Sequence, residues 1–273
     1  MIGIFDSGYG GLTILRSIYN RLPNHDYLYL GDNARNPYGP RSYEVVYKYT
    51  LECVRYLFNQ GCHLVILACN TASAKALRTI QQHDLQHIDP TRRVLGVIRP
   101  TVEIIDQLTN SQHVGILGTQ GTVQSMSYVI EIHKLFPDIK VVQQACPLWV
   151  PLIENNEYQT EGADFFIHRY LSQLYAQDSQ IDTLILGCTH YPIIIDKIRQ
   201  HSTQIWQQPV NIVAQGEIVA RSLEDYLYRH PDIDSELPTK GKCVYLTTEA
   251  PDKFNANARL FMQQEITATQ IEL

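Results

Sequence analysis

The chain alternates short runs of apolar residues with longer segments whose apolar positions recur at helical spacing. Runs that are apolar at nearly every position are typical of strands buried on both faces, as in parallel sheets covered by helices. The intervening segments, such as 42–59 and 161–176, are long enough to cross back over a sheet. We predict an α/β fold with strands at 1–5, 27–30, 64–68, 93–98, 113–117, 141–144, 183–186 and 210–213.

A faint duplication divides the chain into two halves that run in parallel order. IGIFDSGYGG at 2–11 aligns with VGILGTQGTV at 114–123, and LVILACNTAS at 64–73 aligns with TLILGCTHYP at 183–192. The loop GDNARNPYG at 31–39 takes the place of ACPLWVPLIE at 145–154. We therefore predict two similar lobes, each a mostly parallel sheet flanked by helices. The first comprises 1–97 plus 210–273, and the second comprises 98–209.

Composition and charge indicate a small-molecule partner. Apolar residues make up 44% of the 273 positions and charged residues 18%, which is typical of a folded globular protein. A net charge of −6 with scattered basic residues gives no footprint for nucleic acid or an anionic membrane. No signal peptide or membrane-spanning stretch is recognisable, so we expect a cytoplasmic protein. Six cysteines without CxxC pairs predict reduced thiols rather than disulfides or structural zinc.

Three groups of polar residues follow predicted strands, where open α/β sheets bind ligands. They are Asp6-Ser7, Cys69-Asn70-Thr71 and Cys188-Thr189-His190. Each precedes a predicted helix start, whose unpaired N–H groups favour carboxylates and lower the pKa of a nearby thiol. These residues are therefore candidates for binding and chemistry.

A buried cysteine is more often a small core residue than a catalytic one, and we interpret Cys53, Cys62, Cys146 and Cys243 in that way. Cys69 and Cys188 differ because they occupy matched places in the duplication and precede hydrogen-bonding residues. His190 lies on the face of Cys188 if the chain stays extended there, although a structural role for the histidine alone has equal weight.

Asp6 and the glycines after it leave two interpretations open. The carboxylate could cap the following helix or act on a substrate. The glycines do not form a dinucleotide fingerprint, because Thr13 stands where the third glycine is required. No lysine lies in a strand-end loop to hold pyridoxal phosphate, and Lys75 is the nearest. We predict neither a cofactor nor a metal.

Six motifs in order resemble those of the glutamate racemases, within the aspartate/glutamate racemase superfamily, over essentially the full length. They are FDSGYGGLT (5–13), YLGDNARNPYG (29–39), ACNTAS (68–73), GTQGTVQSMSY (118–128), CPLWVPLIE (146–154) and LGCTHYP (186–192). The resemblance implies two α/β lobes with the active site between them, no cofactor, and a cytosolic role supplying D-glutamate for peptidoglycan. It also suggests a homodimer.

Carried over by position, the resemblance implies that Cys69 and Cys188 are the catalytic thiols, assisted by Asp6 and His190 respectively. It further implies that Cys69 deprotonates D-glutamate and Cys188 L-glutamate. The implied substrate-binding residues are Asp6, Ser7, Tyr38, Gly39, Asn70, Thr71, Thr189 and His190. Thr119, Thr122 and Glu154 lie in the same motifs without an assigned role. Arg99, Thr101 and Ala214 depart from the family pattern, which usually has an acidic residue, glycine and aspartate there.

Three alternatives remain open from the sequence. The nearest is a racemase of another amino acid such as aspartate, or a superfamily isomerase of a different acid. A cysteine hydrolase would use Cys188 and His190 as nucleophile and base but would leave Cys69 unexplained. A metal-binding module would use Cys69, Cys188 and His190 as ligands and would retain metal on purification.

Overall fold

The computed structural model describes residues 1–273, which form two compact units. Met1–Val97 and Gly216–Leu273 make up the first unit, and Ile98–Gln215 make up the second. The strands, in chain order, are β1 (Ile2–Asp6), β2 (Tyr27–Gly31), β3 (Leu64–Leu67), β4 (Arg93–Gly96), β5 (His113–Gly118), β6 (Lys140–Ala145), β7 (Thr183–Gly187), β8 (Asn211–Val213), β9 (Cys243–Thr247) and β10 (Ala268–Gln270). All pairings between neighbouring strands are parallel. The predicted α/β fold with mostly parallel sheets is confirmed.

Helices connect the strands. They are α1 (Gly11–Arg21), α2 (Tyr43–Asn59), α3 (Asn70–Lys75), α4 (Leu77–Thr79), α5 (Leu85–Ile88), α6 (Ile98–Glu103), α7 (Gln120–Gln124), α8 (Ser127–Leu135), α9 (Trp149–Glu154), α10 (Glu161–Gln177), α11 (Ile195–Trp206), α12 (Gly216–Arg229), α13 (Pro231–Asp234) and α14 (Pro251–Met262). Short 3₁₀ turns occur at Asn33–Arg35, Ile105–Gln107 and Tyr191–Ile194, and one π-helical segment occurs at Ile80–Asp84. None of these helices combines the length and the apolar character needed to cross a bilayer.

The sheet of the first unit has six strands in the order β10-β9-β2-β1-β3-β4. Every residue of β1, β2 and β3 is buried, which explains why their sequences are nearly continuous apolar runs. Helix α2 begins after Ser42, whose side chain accepts the Val45 N–H, and it packs Val54 and Leu57 into the core beside Phe5 and Leu67.

Helices α1 and α12 lie against each other in the first unit and hold the later segment of the chain there. Arg21 of α1 forms ion pairs with Glu217 at 3.0 Å and Glu224 at 2.6 Å. A Cβ at Gly216 would lie 2.4 Å from the Oγ of Ser17, so a larger residue at the start of α12 would displace this hydroxyl.

The sheet of the second unit has four strands in the order β6-β5-β7-β8. The first sheet contains the same order as β2-β1-β3-β4, so each strand of the second unit has a counterpart in the first. The loops after β1, β2 and β3 correspond to those after β5, β6 and β7, as the sequence alignment of the halves predicts. The topology therefore supports the duplication.

The chain returns to the first unit as predicted, but at Gly216 and not at residue 210. Residues 210–215 belong to the second unit, because β8 pairs with β7 through the register Leu184↔Ile212. The first unit resumes at Gly216. Two strands that the sequence analysis did not predict, β9 and β10, extend the first sheet beyond β2.

Candidate active site

The candidate residues lie at the topological switch point of each sheet. Strand β1, which ends at Asp6, pairs with β2 on one side and with β3 on the other. The connections from β1 to β2 and from β2 to β3 therefore run in opposite directions across the sheet, and Cys69 follows the end of β3. Strands β5 and β7 repeat this arrangement in the second unit, with Thr119 and Cys188 after their ends. Such points form crevices at the carboxyl ends of strands, where α/β sheets bind ligands.

The sulfur of Cys69 has two polar neighbours. It is the N-cap residue of α3, and its Sγ accepts the backbone N–H of Ala72 at 3.4 Å. The Oγ of Ser7, from the loop after β1, lies 3.4 Å from the same sulfur. The side chain is nearly buried, with 6% of Cys69 exposed. A backbone N–H at the start of a helix that points at a sulfur stabilises its thiolate form.

Asp6 lies at the end of β1, next to the strand that leads to Cys69. Only 1% of Asp6 is exposed, and its Oδ2 accepts the backbone N–H of Gly8 at 2.9 Å. The N-cap of α1 is Gly10 rather than Asp6. A Cβ at Gly11 would lie 2.5 Å from the Cβ of Asp6, so glycine is required where α1 passes this side chain.

Cys188 belongs to a chain of three side chains in the second unit. Its Sγ lies 3.8 Å from Nδ1 of His190, and Nε2 of His190 lies 2.8 Å from Oε1 of Glu154. The expectation of an extended chain between the cysteine and the histidine is wrong, because β7 ends at Gly187 and His190 adopts a helical conformation. The turn at 188–190 nevertheless brings the imidazole to the sulfur.

The environment of His190 favours its protonated form. Burial opposes the charge, but the hydrogen bonds to Cys188 and Glu154 outweigh it and raise the pKa of His190 to about 10. An imidazolium at hydrogen-bond distance from a sulfur stabilises the thiolate electrostatically. His190 therefore links Glu154 to Cys188. The sequence analysis placed Glu154 in a matching motif but gave it no role, and the signal was its position in the third matched loop.

Helix α9 holds Glu154 in place. The ring of Trp149, at the start of the helix, packs edge-on against Tyr191 with centroids 4.8 Å apart. The hydroxyl of Tyr191 donates to the carbonyl oxygen of Cys146 at 3.3 Å. These buried contacts tie the segment that carries Glu154 to the turn that carries His190.

The stability of the fold should depend on pH through His190. Its pKa of about 10 exceeds the value of about 6.5 for an exposed histidine, so the folded state binds this proton more tightly than the unfolded state. The stabilisation is fully present below about pH 6.5 and is lost as the pH rises through about 10. We expect wild-type protein to lose more stability than His190→Asn between pH 6 and 10 in urea titrations. Equal losses would contradict a raised pKa.

The remaining predicted binding residues fall into the same two groups by unit. Ser7, Asn70 and Thr71 lie beside Cys69 at the ends of β1 and β3, and each is at most 8% exposed. Thr189, which is 5% exposed, separates Cys188 from His190. Tyr38 and Gly39 lie in the loop that follows β2.

The other four cysteines have environments that favour the neutral thiol. Burial raises the pKa of Cys62 to about 12 and that of Cys243 to about 11. It also raises the pKa of Cys53 and Cys146 well above the ordinary range. These thiols remain protonated at neutral pH, in keeping with structural roles.

Two of the three residues that depart from the family pattern, Arg99 and Thr101, have partners within the second unit. Arg99 forms ion pairs with Glu103 at 2.8 Å and Glu131 at 3.0 Å. Thr101 is fully buried, and its Oγ1 accepts a hydrogen bond from Gln215 at 3.1 Å. No contact in the structure explains Ala214.

Lys75, the lysine nearest to the strand-end loops, has a partner of its own. Lys75 is nearly buried, and its Nζ donates to the carbonyl oxygen of Arg41 at 2.7 Å. No group of three or more histidine, cysteine, aspartate or glutamate side chains in residues 1–273 is arranged to hold a metal ion.

Comparison with known proteins places the chain in a family. The profile of the Asp/Glu/Hydantoin racemase family matches residues 11–223. A glutamate racemase from Geobacter metallireducens is 38% identical over 253 residues, covering 93% of this chain and 89% of the relative. The crystal structure of a glutamate racemase isoform from Bacillus anthracis superposes with a TM-score of 0.88 at 32% identity, covering 100% of this chain and 97% of that one.

A second solved structure extends the match to a protein with its ligand. The glutamate racemase from Francisella tularensis, crystallised in complex with D-glutamate, superposes with a TM-score of 0.83 at 33% identity. The alignment covers 100% of this chain and 96% of that one. From the motifs, the paired thiols and these matches, the chain belongs to the Asp/Glu/Hydantoin racemase family and, within it, to the glutamate racemases, which are isomerases.

Proposed function

We propose that the protein interconverts L- and D-glutamate without a cofactor, with Cys69 and Cys188 as the two acid/base groups. The observation that carries the proposal is that each unit holds one nearly buried thiol after a matched strand, with its own polar partners. Racemisation needs one proton-transfer group on each face of the α-carbon. A pair of related thiols meets that requirement.

In the proposed reaction, one thiolate removes the α-proton and the opposite thiol delivers a proton to the other face of the planar carbanion. Following the family, Cys69 deprotonates D-glutamate and Cys188 deprotonates L-glutamate. The Ala72 N–H supports the thiolate of Cys69, and the imidazolium of His190 supports that of Cys188. After one turnover the two thiols have exchanged protonation states, so the reverse reaction restores them.

The substrate carries two carboxylates and one ammonium group, and we propose that the side-chain and backbone groups near the strand ends bind them. The hydroxyls of Ser7, Thr71 and Thr189 and the amide of Asn70 are suitable partners. Backbone N–H groups at the helix starts would stabilise the negative charge that develops in the transition state. Asp6 and His190 act as proton-transfer partners of their cysteines.

The cellular setting follows from the chemistry. Both catalytic thiols must stay reduced, which favours the cytoplasm, and all six cysteines are free in the structure. We propose that the product D-glutamate supplies peptidoglycan synthesis, as the family resemblance implies. The homodimer remains a prediction that analytical ultracentrifugation would test.

The direct test is circular dichroism of purified protein incubated with each enantiomer of glutamate and of aspartate. We expect both glutamate enantiomers to lose their signal and aspartate to keep it. Activity should survive dialysis against a chelator, and the protein should show no absorption from pyridoxal phosphate. Racemisation of aspartate alone, or loss of activity with the chelator, would contradict the proposal.

A cysteine hydrolase is the second candidate, because Cys188, His190 and Glu154 have the order of a nucleophile, its base and an orienting carboxylate. Substitution of Cys69 separates the two functions. A hydrolase would retain its activity in Cys69→Ser, whereas the racemase would not.

A further inference from the structure

The loop after β2 contains a buried carboxylate, Asp32, that has no role in the proposed reaction. Asp32 directly follows the strand and is fully buried. Its Oδ2 accepts a hydrogen bond from the hydroxyl of Tyr38 at 2.5 Å and another from Nε of Arg35 at 2.7 Å. Its Oδ1 accepts a third from the hydroxyl of Thr248 at 3.0 Å. A buried carboxylate with three donors is a strong local anchor.

The phenol of Tyr38 is directed into the unit and is engaged there. Tyr38 is 1% exposed, and its ring lies against Phe5 and Tyr49 with centroid distances of 6.2 and 5.9 Å. Burial, followed by the neighbouring Cys53 and Asp32, raises the pKa of Tyr38 far above its ordinary value. The hydroxyl therefore keeps its proton and donates a hydrogen bond to Asp32. What this part of the loop can offer a ligand is backbone, at Tyr38 and at the half-buried Gly39.

Two other residues fasten the loop to its surroundings. Thr248, which comes directly after β9, also accepts the backbone N–H of Ala34 at 3.0 Å. Arg41 donates to the carbonyl oxygens of Pro37 at 3.1 Å and Arg35 at 2.9 Å. The backbone that leads to Tyr38 is thus held from both sides, and one of the holding residues comes from the carboxyl-terminal segment of the chain.

We propose that Asp32 is a positioning residue that, through Tyr38, Arg35 and Thr248, holds the backbone of Tyr38 and Gly39 in the conformation that binds the substrate. Tyr38 then acts as an anchor of the loop rather than as a hydrogen-bond donor to the substrate. This inference rests on the proposed function, which assigns Tyr38 and Gly39 to the glutamate site.

Tyr38→Phe and Asp32→Asn test the proposal. A hydrogen bond to a charged group contributes enough that we expect KM for glutamate to rise about tenfold in each variant. The turnover number should stay within about twofold, because a binding contact made equally in the ground and transition states affects KM alone. The double variant should have a KM close to that of the single variants, since both substitutions weaken the same contact: Tyr38→Phe removes its donor, and Asp32→Asn removes the charge of its acceptor.

Asp26→Asn is the matched control. Asp26 is a buried aspartate immediately before β2, whereas Asp32 comes immediately after this strand. The Oδ1 of Asp26 accepts the backbone N–H groups of Lys240 and Lys242, each at 3.0 Å. Asp26→Asn should lower the melting temperature without changing KM. If Asp32→Asn is too unstable to assay, Thr248→Val removes one of the same hydrogen bonds and should raise KM to a smaller extent.

The outcomes separate this inference from the proposed function. Wild-type protein that racemises no glutamate overturns the function itself. If the wild-type protein is active but KM is unchanged in Tyr38→Phe and in Asp32→Asn, only the positioning role is overturned. Thr248→Val takes the place of Asp32→Asn in this comparison if that variant is too unstable to assay. A fall in turnover at constant KM, or the same rise of KM in Asp26→Asn, would reduce Asp32 to a structural residue and would likewise overturn it.

Discussion

Replacement of Cys69 or Cys188 by serine should lower the rate of glutamate racemisation by about 10³-fold or more. A serine hydroxyl is a far weaker acid than a thiol and its conjugate base is not available at neutral pH, so one face of the α-carbon loses its proton-transfer group. Both variants should fail equally in net racemisation, since each direction of the reaction needs both groups. Circular dichroism with either enantiomer measures the loss.

The matched control is Cys243→Ser, which replaces a half-buried thiol of the first unit that the mechanism does not use. Its racemisation rate should match that of wild-type protein. A substrate analogue with a leaving group on the β-carbon distinguishes the two catalytic thiols, because elimination needs only one deprotonation. The two serine variants should prefer opposite enantiomers of the analogue. The same preference in both, or a wild-type rate in either, would contradict the two-thiol mechanism.

The fold was predictable wherever a strand is buried on both faces. The eight predicted strands correspond to β1–β8, with ends that differ by at most two residues. Strand β9 was not predicted, although it begins with four apolar residues, because a short apolar run alone does not distinguish a strand from part of a helix. Its burial is also partial, since Val244 is 44% exposed. Strand β10 has three residues, two of them exposed, and leaves almost no pattern. The point at which the chain returns to the first unit was placed too early, at residue 210, because the sequence of one short strand does not indicate which sheet it joins.

The candidate site was predictable to the level of strand ends but not of side-chain partners. Cys69 and Cys188 stand out because the duplication places both thiols after matched strands. Each of the two segments compared is short and continuous in sequence, so the pattern can be recognised without knowing how the chain packs. The contacts of Glu154 with His190 and of Asp32 with Thr248 join residues 36 and 216 positions apart. Nothing in the local pattern specifies such contacts, because they depend on how α9 and β9 pack.

The second large effect on turnover is expected from the residues hydrogen-bonded in series to Cys188, which are His190 and Glu154. His190→Asn should lower turnover by about 10²–10⁴-fold, the range for loss of a positioned acid/base group, with little change in KM. Asp6→Asn should have a comparable effect through Cys69. Glu154→Gln keeps an oxygen for the imidazole but removes the charge, so we expect a smaller loss of about tenfold.

The pH–rate profile reveals whether Glu154 acts through the histidine. The carboxylate helps to raise the pKa of His190 to about 10, so removing its charge should move the alkaline limit of activity to lower pH. His113, hydrogen-bonded to Asp178 at 2.7 Å at the start of β5, provides the matched control in the same unit. His113→Asn and Asp178→Asn remove a histidine–carboxylate pair at the opposite end of the sheet and should leave both turnover and the alkaline limit unchanged. An unshifted limit in Glu154→Gln, or wild-type turnover in His190→Asn, would leave Cys188 without the partner that makes it a base.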